Sequence, residues 1–115
     1  RELWVTEPDS ERIEIFSLSL KRDALAHVAF INVSDGPESL VIDTKGGRAF
    51  THLWSGTSLA IDLSSRSVVE RWPNQCNGSR WIACDELLPF LFAGFAGGQA
   101  VVLHPAPRWE RTAAR

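Results

Sequence analysis

The sequence predicts an all-β fold, and three observations lead to this expectation. Short runs of β-branched and aromatic residues, bounded by Gly, Pro, Asn, Asp or Ser, recur roughly every eight to twelve positions. Apolar residues show little helical periodicity along the same stretches. In addition, segment 36–62, which is 27 residues long, lies without a gap over segment 78–104 at an offset of 42 residues.

The 42-residue repeat predicts how the strands are organised. It places Gly36 over Gly78 and Phe50 over Phe92. A period of about 40 to 45 residues built from short strands is typical of a β-propeller, in which each repeat forms one four-stranded sheet, or blade. We therefore expect a partial β-propeller of four-stranded antiparallel blades, radially stacked. Residues 1–115 would form one segment, with an incomplete blade at 1–35, a complete blade at 36–77 and an incomplete blade at 78–115.

The complete blade contains four strands, which we name A to D in chain order. Strand A (39–42) contains the continuous apolar run Leu40-Val41-Ile42, as expected for a strand buried on both faces. The turn at 43–47 contains an Asp and two glycines, which favour a tight connection into strand B (48–53). Two Ser-containing turns then lead to strand C (58–63) and to strand D (67–72), whose mixed polarity suits an outer position.

The incomplete blades are interpreted by comparison with the complete one. In the first blade we predict strands B, C and D at 3–6, 13–16 and 24–33. Its C-to-D hairpin should be four residues longer, most simply at 20–23, because Ile13 to Gly36 spans 23 positions and Leu59 to Gly78 spans 19. In the third blade we predict strands A, B and C at 81–84, 90–95 and 100–103. Pro105 and Pro107 follow, and since proline removes a ladder donor we expect no regular strand D there.

Composition excludes several classes of function. The formal net charge is −2 and the 12 basic residues are scattered, so nucleic acids and anionic membranes are not expected partners. No apolar run approaches the ~18 residues of a transmembrane helix. Acidic residues in the first 20 positions exclude an intact signal peptide. Because the chain begins with Arg1 and contains no Met, we expect a processed product or a piece of a longer protein.

Cys76 and Cys84 are the only cysteines. A disulfide between them would close a short loop and would suit an oxidising compartment. Two unpaired, partly buried thiols are the alternative. The sequence leaves both possibilities open.

The flanks of the two end blades need a covering partner. Closed propellers use about four to eight blades, more than this chain contains. If each flank exposes on the order of 400 Å² of apolar surface, at about 25 cal/mol per Å² the lost burial is roughly 10 kcal/mol. That equals the net stability of a typical domain, about 5 to 15 kcal/mol. We expect the flanks to be covered by the remaining blades of a larger propeller or by self-association.

Candidate ligand-binding residues lie in the D-to-A and B-to-C connections, which meet at one end of a propeller channel. Glu38 and Arg80 align in the repeat, so they can face each other from adjacent blades and pair or hold a polar ligand. Trp54 and Trp81 are candidate aromatic anchors for a sugar, a peptide or a base. Packing between blades is the interpretation we favour for rings of this size.

Catalytic, metal and cofactor motifs are not found in the sequence. His27, His52 and His104 lie on different predicted strands, and none has another His or Cys at ligand spacing, so no zinc site is expected. There is no Gly-x-Ser-x-Gly elbow and no phosphate-binding loop. We therefore assign no catalytic residue, no metal ligand and no cofactor.

The complete blade resembles the YVTN-type propeller repeat. In that repeat a Gly-Pro loop leads into the inner strand, a Tyr-Val-like pair lies in the second strand and a hydrophobic-Asp step lies in the third. Here Gly36-Pro37, Phe50-Thr51 and Ile61-Asp62 hold these places, and His104 replaces the Asp in the third blade. The resemblance implies a propeller of about seven blades, often secreted or periplasmic in bacteria, and related to lactonases and to the large subunits of amine dehydrogenases.

Two hypotheses for function follow. The first is a non-enzymatic scaffold or binding module that forms part of a larger YVTN-like propeller and binds a protein or a small polar ligand. The alternative is part of a propeller enzyme, either a metal-dependent lactonase-like hydrolase or a dehydrogenase large subunit. A lactonase-like site would place carboxylates and an Asn around a divalent cation, and only Asp35, Glu38 and Asn77 could contribute to it here.

Overall fold

A computed structural model of the 115-residue chain describes residues 1–74, 78–85, 90–104 and 110–114. The strands within these residues are β1 (Glu2–Glu7), β2 (Arg12–Ser19), β3 (Ala24–Asn32), β4 (Pro37–Asp43), β5 (Arg48–Leu53), β6 (Thr57–Asp62), β7 (Ser67–Pro73), β8 (Ser79–Asp85), β9 (Phe90–Phe95), β10 (Ala100–His104) and β11 (Glu110–Ala114). A three-residue 3-10 helix, Pro8–Ser10, joins β1 to β2. Across the described ranges, no helix has the length and apolarity needed to cross a lipid bilayer.

The strands form three antiparallel sheets, each made of strands that are consecutive in the chain. The first sheet has the order β1-β2-β3, the second β4-β5-β6-β7 and the third β8-β9-β10-β11. Every pairing within the sheets is antiparallel. The all-β prediction is therefore confirmed.

The third sheet has a fourth strand, and the prediction that its strand D would be missing is wrong. β11 (Glu110–Ala114) pairs along its whole length with β10, from Ala100 opposite Ala114 to His104 opposite Glu110. Pro105 and Pro107 lie outside the described residues, before Glu110 in the sequence. The five residues of β11 include no proline, so the argument against a fourth strand does not apply to them.

The four extra residues of the first sheet lie in its strands, and not in a longer turn as predicted. Both C-to-D hairpins turn over four residues, 20–23 in the first sheet and 63–66 in the second. β2 has eight residues against six in β6, and β3 has nine against seven in β7. Each strand of the first hairpin is thus longer by two residues, because extra ladder pairs satisfy backbone groups that a longer loop would leave to water.

Two hydrophobic cores hold the sheets together face to face. The core between the first and second sheets includes Trp4, Ile13, Ile15, Leu59 and Ile61. The core between the second and third sheets includes Phe50, Ala60, Ile82, Ala93 and Phe95. Since successive side chains of a strand point to opposite faces, β5 and β6 supply both cores. The second sheet is consequently buried on both of its faces.

Neighbouring sheets approach each other most closely at the first strand of the second sheet. Cα atoms of β4 lie within 8 Å of Cα atoms of β8 on one side and of β1 on the other. Among the described residues, the outer strands β3, β7 and β11 make no comparable approach to another sheet. The sheets are therefore close together on one side of the molecule and further apart on the other.

Ser39 connects the second and third sheets at this close approach. It lies at a bulge of β4, between Glu38 and Leu40, with a left-handed φ of 62°. Its hydroxyl oxygen accepts a hydrogen bond from the Ile82 backbone N–H at 3.0 Å, and its carbonyl accepts one from the Thr51 hydroxyl at 2.6 Å. The bulge thus turns a polar group of one sheet towards the backbone of the next.

Replacement of Ser39 tests this connection. Ser39→Ala leaves the half-buried Ile82 N–H without its acceptor, so we expect the free energy of unfolding to fall by about 1 to 3 kcal/mol in urea titrations. Ser39→Gly removes the same hydroxyl, but glycine tolerates the positive φ. The decrease in the free energy of unfolding should therefore be smaller than in Ser39→Ala by about 1 kcal/mol. A Ser39→Ala change within about 0.5 kcal/mol, the usual range of surface substitutions, would contradict the assignment.

Candidate functional site

The loop that precedes the first strand of a sheet is fastened to the turn between the second and third strands of that sheet. In the second sheet the Trp54 N–H donates to the Gly36 carbonyl at 3.3 Å, and also to the Asp35 carbonyl at 3.0 Å. In the third sheet the Ala96 N–H donates to the Gly78 carbonyl at 2.9 Å. Trp54 aligns with Ala96 at the 42-residue offset, so the repeat builds the same attachment twice. These connections meet at one end of the sheets, as the sequence predicts.

Gly36 allows the indole of Trp54 to lie directly on the backbone. Gly36 has a φ of 68°, and a Cβ atom at this position would come within 2.8 Å of the Trp54 ring. Both the backbone conformation and the close approach therefore require glycine. The indole is fixed on one side and is 46% exposed.

Glu38, Trp54 and Arg80 come together in one open pocket of about 340 Å³, which Gly78 also lines. The Trp54 indole N–H donates to the Glu38 carboxylate. Arg80 is exposed, and no salt bridge joins it to Glu38 or to another residue of the described ranges. The structure thus brings three of the four sequence-predicted residues together, with Glu38 held by Trp54 and not by Arg80.

Trp81 does not line this pocket. It lies opposite Gly94 in the β8–β9 ladder and is 49% exposed. Trp54 and Trp81 are both outside the two cores between the sheets, in contrast to the packing role that the sequence favours. The two rings stay outside the cores because each lies on a glycine of its own sheet, at or near the end of a strand. Trp54 lies on Gly36 and Trp81 on Gly94.

A second open pocket, of about 390 Å³, shares Trp54 with the first. It is lined by Pro8, Asp9, Glu11, Asp35, Gly36, Trp54 and Ser55. The Glu11 carboxylate accepts a hydrogen bond from the Asp35 N–H at 3.1 Å, which ties the first sheet to the second. Both residues have left-handed φ values, 52° and 69°. Over the described residues, no three His, Cys, Asp or Glu side chains are grouped as metal ligands.

A buried polar network under these loops was not predicted from the sequence. His52 on β5, Ser58 on β6 and Asn74 after β7 are all fully buried. Asn74 Nδ2 donates to Ser58 Oγ at 3.0 Å, and Ser58 Oγ lies 2.6 Å from His52 Nδ1. Ser58 Oγ thus links Asn74 to His52, and the tautomer of the imidazole decides whether Ser58 donates to Nδ1 or accepts from it. Burial lowers the pKa of His52 to about 4.

This network is structural in character. His52 has no access to solvent, and within the described residues its Nε2 has no hydrogen-bond partner. A neutral imidazole can be buried at low cost, whereas an imidazolium cannot. One pattern in the sequence could have indicated the contact between His52 and Ser58. The two residues are separated by five others across the tight β5–β6 hairpin, which places them opposite each other.

Two of the candidate residues lie outside the described residues. Cys76 and Asn77 belong to the segment 75–77, and Cys84 lies half-buried on β8. The disulfide between Cys76 and Cys84 therefore stays a prediction.

Comparison with known proteins shows a shared fold. The sequence matches no protein-family model and no curated protein sequence. The structure is similar to hydrazine synthase from Kuenenia stuttgartiensis, with a TM-score of 0.77 and 18% sequence identity. The similarity covers 99% of this chain and 34% of that one, so the chain spans about a third of the length of its structural neighbour. At this identity the likeness extends to the fold alone.

The pKa of His52 predicts how stability depends on pH. The unfolded chain binds a proton at His52 near pH 6.5, and the folded chain does so only near pH 4, so acid favours unfolding between these values. Between pH 7.5 and pH 5 we expect this residue to lower the free energy of unfolding by about 2 kcal/mol. The measurement is the difference between wild type and His52→Gln in urea titrations at the two pH values. An equal pH dependence in both proteins would contradict the assignment.

Proposed function

We propose that the chain is a segment of a YVTN-like β-propeller and acts as a non-enzymatic binding module. The 42-residue repeat supports this proposal, as does the packing of the sheets, which are closest at β4 and further apart at their outer strands. Sheets that radiate from an axis converge in this way. The resemblance to the YVTN-type repeat also implies a location outside the cytoplasm.

The pocket between Trp54 and Arg80 is the observation that carries the binding role. Arg80 offers an exposed guanidinium with no salt bridge among the described residues, beside an indole whose free face is accessible. A guanidinium binds a carboxylate through two parallel hydrogen bonds. Glu38 accepts the indole N–H, so its role is to orient the ring. The ligand that fits is a carboxylate attached to a chain or ring that can lie on Trp54, as in an acidic segment of a protein.

The enzymatic alternative is less well supported by this geometry. A lactonase-like site needs its carboxylates around one cation. Glu38 lines the pocket with Arg80, whereas Asp35 lines the second pocket, and Trp54 contributes to both. The two acidic residues therefore line different spaces, and this separation favours ligand binding over metal-dependent hydrolysis.

A capped acidic peptide tests the proposed site. We expect acetyl-Ala-Glu-Ala-amide to shift the indole N–H resonance of Trp54, assigned with Trp54→Phe, and the neutral Gln peptide to leave it unchanged. Arg80→Gln should weaken binding at least about tenfold, because it removes the charged partner of the carboxylate. Arg71→Gln, at an exposed arginine on β7, is the matched control and should bind as wild type. Equal binding of the two peptides, or equal effects of the two substitutions, would contradict the proposal.

A further inference from the structure

One face of the first sheet is not covered by another sheet of the described residues. We call it the first-sheet end face. Leu3, Val5 and Phe30 on this face are exposed, and Phe16 is partly exposed. The ladders place Leu3 opposite Phe16 and Val5 opposite Glu14, which in turn lies opposite Phe30. The apolar residues therefore lie on one face across all three strands, with Glu14 between Val5 and Phe30.

The charged residues within the first-sheet end face are paired with one another. Glu14 is only 7% exposed and contacts both Arg12, at 2.6 Å, and His27. The Arg12 guanidinium lies 5.6 Å from the centre of the Phe30 ring, and His27 packs edge-on against Phe16. Because each charge has a partner before anything docks, covering this face leaves no isolated charge behind.

The third sheet has a matching uncovered face at the other end of the chain, the third-sheet end face. Phe92 lies opposite Ala83 on one side and Val102 on the other, and its ring packs edge-on against Phe90 with centroids 6.4 Å apart. Ala83 is exposed, and Phe90, Phe92 and Val102 are partly exposed.

Both end faces are the repeat equivalents of surfaces that are joined inside the chain. Phe92 aligns with Phe50, which is buried where the second sheet packs on the third. Glu14 and Phe16 correspond by face to Leu59 and Ile61, because Ile13 and Ile15 point the other way, into the core with the second sheet; this is one residue away from the sequence comparison of Ile13 with Leu59. Leu59 and Ile61 are buried where the second sheet packs on the first. Each end face therefore corresponds to a face that is buried between two sheets inside the chain.

We propose that the third-sheet end face of one copy of this chain docks on the first-sheet end face of a second copy. The inference rests on the radial arrangement proposed above. A head-to-tail contact of this kind closes into a ring when the rotation permits. Two copies supply six sheets, because each chain has three, and six lies within the range of about four to eight blades that closed propellers use. The ring leaves no end face exposed to water.

The mass of the chain in solution tests the proposal. By sedimentation velocity at micromolar concentration we expect a species of twice the 12.8 kDa chain mass. Val5→Lys places a charge in the first-sheet end face and should eliminate this species. Val69→Lys makes the same change on β7, away from both end faces, and should leave it intact; the two side chains are 38% and 48% exposed. A monomeric wild type, or equal behaviour of the two variants, would overturn the proposal.

A variant at the other end separates head-to-tail docking from symmetric pairing. Ala83→Lys changes the third-sheet end face at an exposed position, so folding should be preserved, as circular dichroism would verify. Head-to-tail docking predicts that Ala83→Lys and Val5→Lys each lose the two-chain species. It also predicts partial recovery of this species when the two variants are mixed, because one of the two interfaces then has both faces unchanged. A dimer that survives either substitution alone would overturn the ring. If the wild type is monomeric and binds the acidic peptide, the ring is rejected and the binding site stands. If the wild type forms the ring and binds no peptide, the binding site is rejected and the ring stands.

Discussion

The burial of the second sheet on both faces is the constraint on which the rest of the structure depends. Alternate residues of β5 and β6 enter two different cores, so Leu59 and Ile61 pack on the first sheet while Phe50 and Ala60 pack on the third. A shift of one residue in register would exchange the two sets. The tight hairpins between strands, together with the bulge at Ser39, hold this register. The loops that form the pockets take their positions from it.

The pocket between Trp54 and Arg80 follows from the same constraint. Because the second and third sheets are packed through β4 and β8, the first residues of these strands lie side by side. Glu38 and Arg80, which the sequence analysis places in the loops, are each the second residue of their strand and line one space. Local backbone conformations complete the arrangement. Asp35, Gly36 and Ser39 all have positive φ values, and they bend the chain sharply just before and within β4. Non-glycine residues with positive φ, here Asp35 and Ser39, are common where a protein binds a ligand.

Much of the fold could be predicted because the sequence carries it in local patterns. The strands at 48–53 and 90–95 were predicted at the bounds that the structure has, since glycines and charged turn residues delimit them. The sequence does not predict β11, because Pro105 and Pro107 lie within five residues of its first residue and local composition does not show where the strand begins. The length difference of the first hairpin was detected, but spacing alone cannot tell whether added residues extend a loop or a ladder.

The candidate site was predicted less completely than the fold. Repeat alignment placed Glu38 and Arg80 in neighbouring loops, and the structure gives them a common pocket. The alignment could not show that Glu38 contacts Trp54, because that contact depends on side-chain rotamers and on Gly36 beneath the ring. The network of His52, Ser58 and Asn74 was also missed, since each residue alone is an ordinary polar residue in or near a strand.

The most direct test of the account is a set of nuclear Overhauser contacts between the sheets in solution. Radial packing predicts contacts between protons of β4 and β8, including the Ile82 amide and the Ser39 side chain. It also predicts that backbone protons of the outer strands β3 and β7 make none with each other. Contacts between β3 and β7 as strong as those between β4 and β8 would indicate parallel stacked sheets or a closed barrel, and would contradict the account.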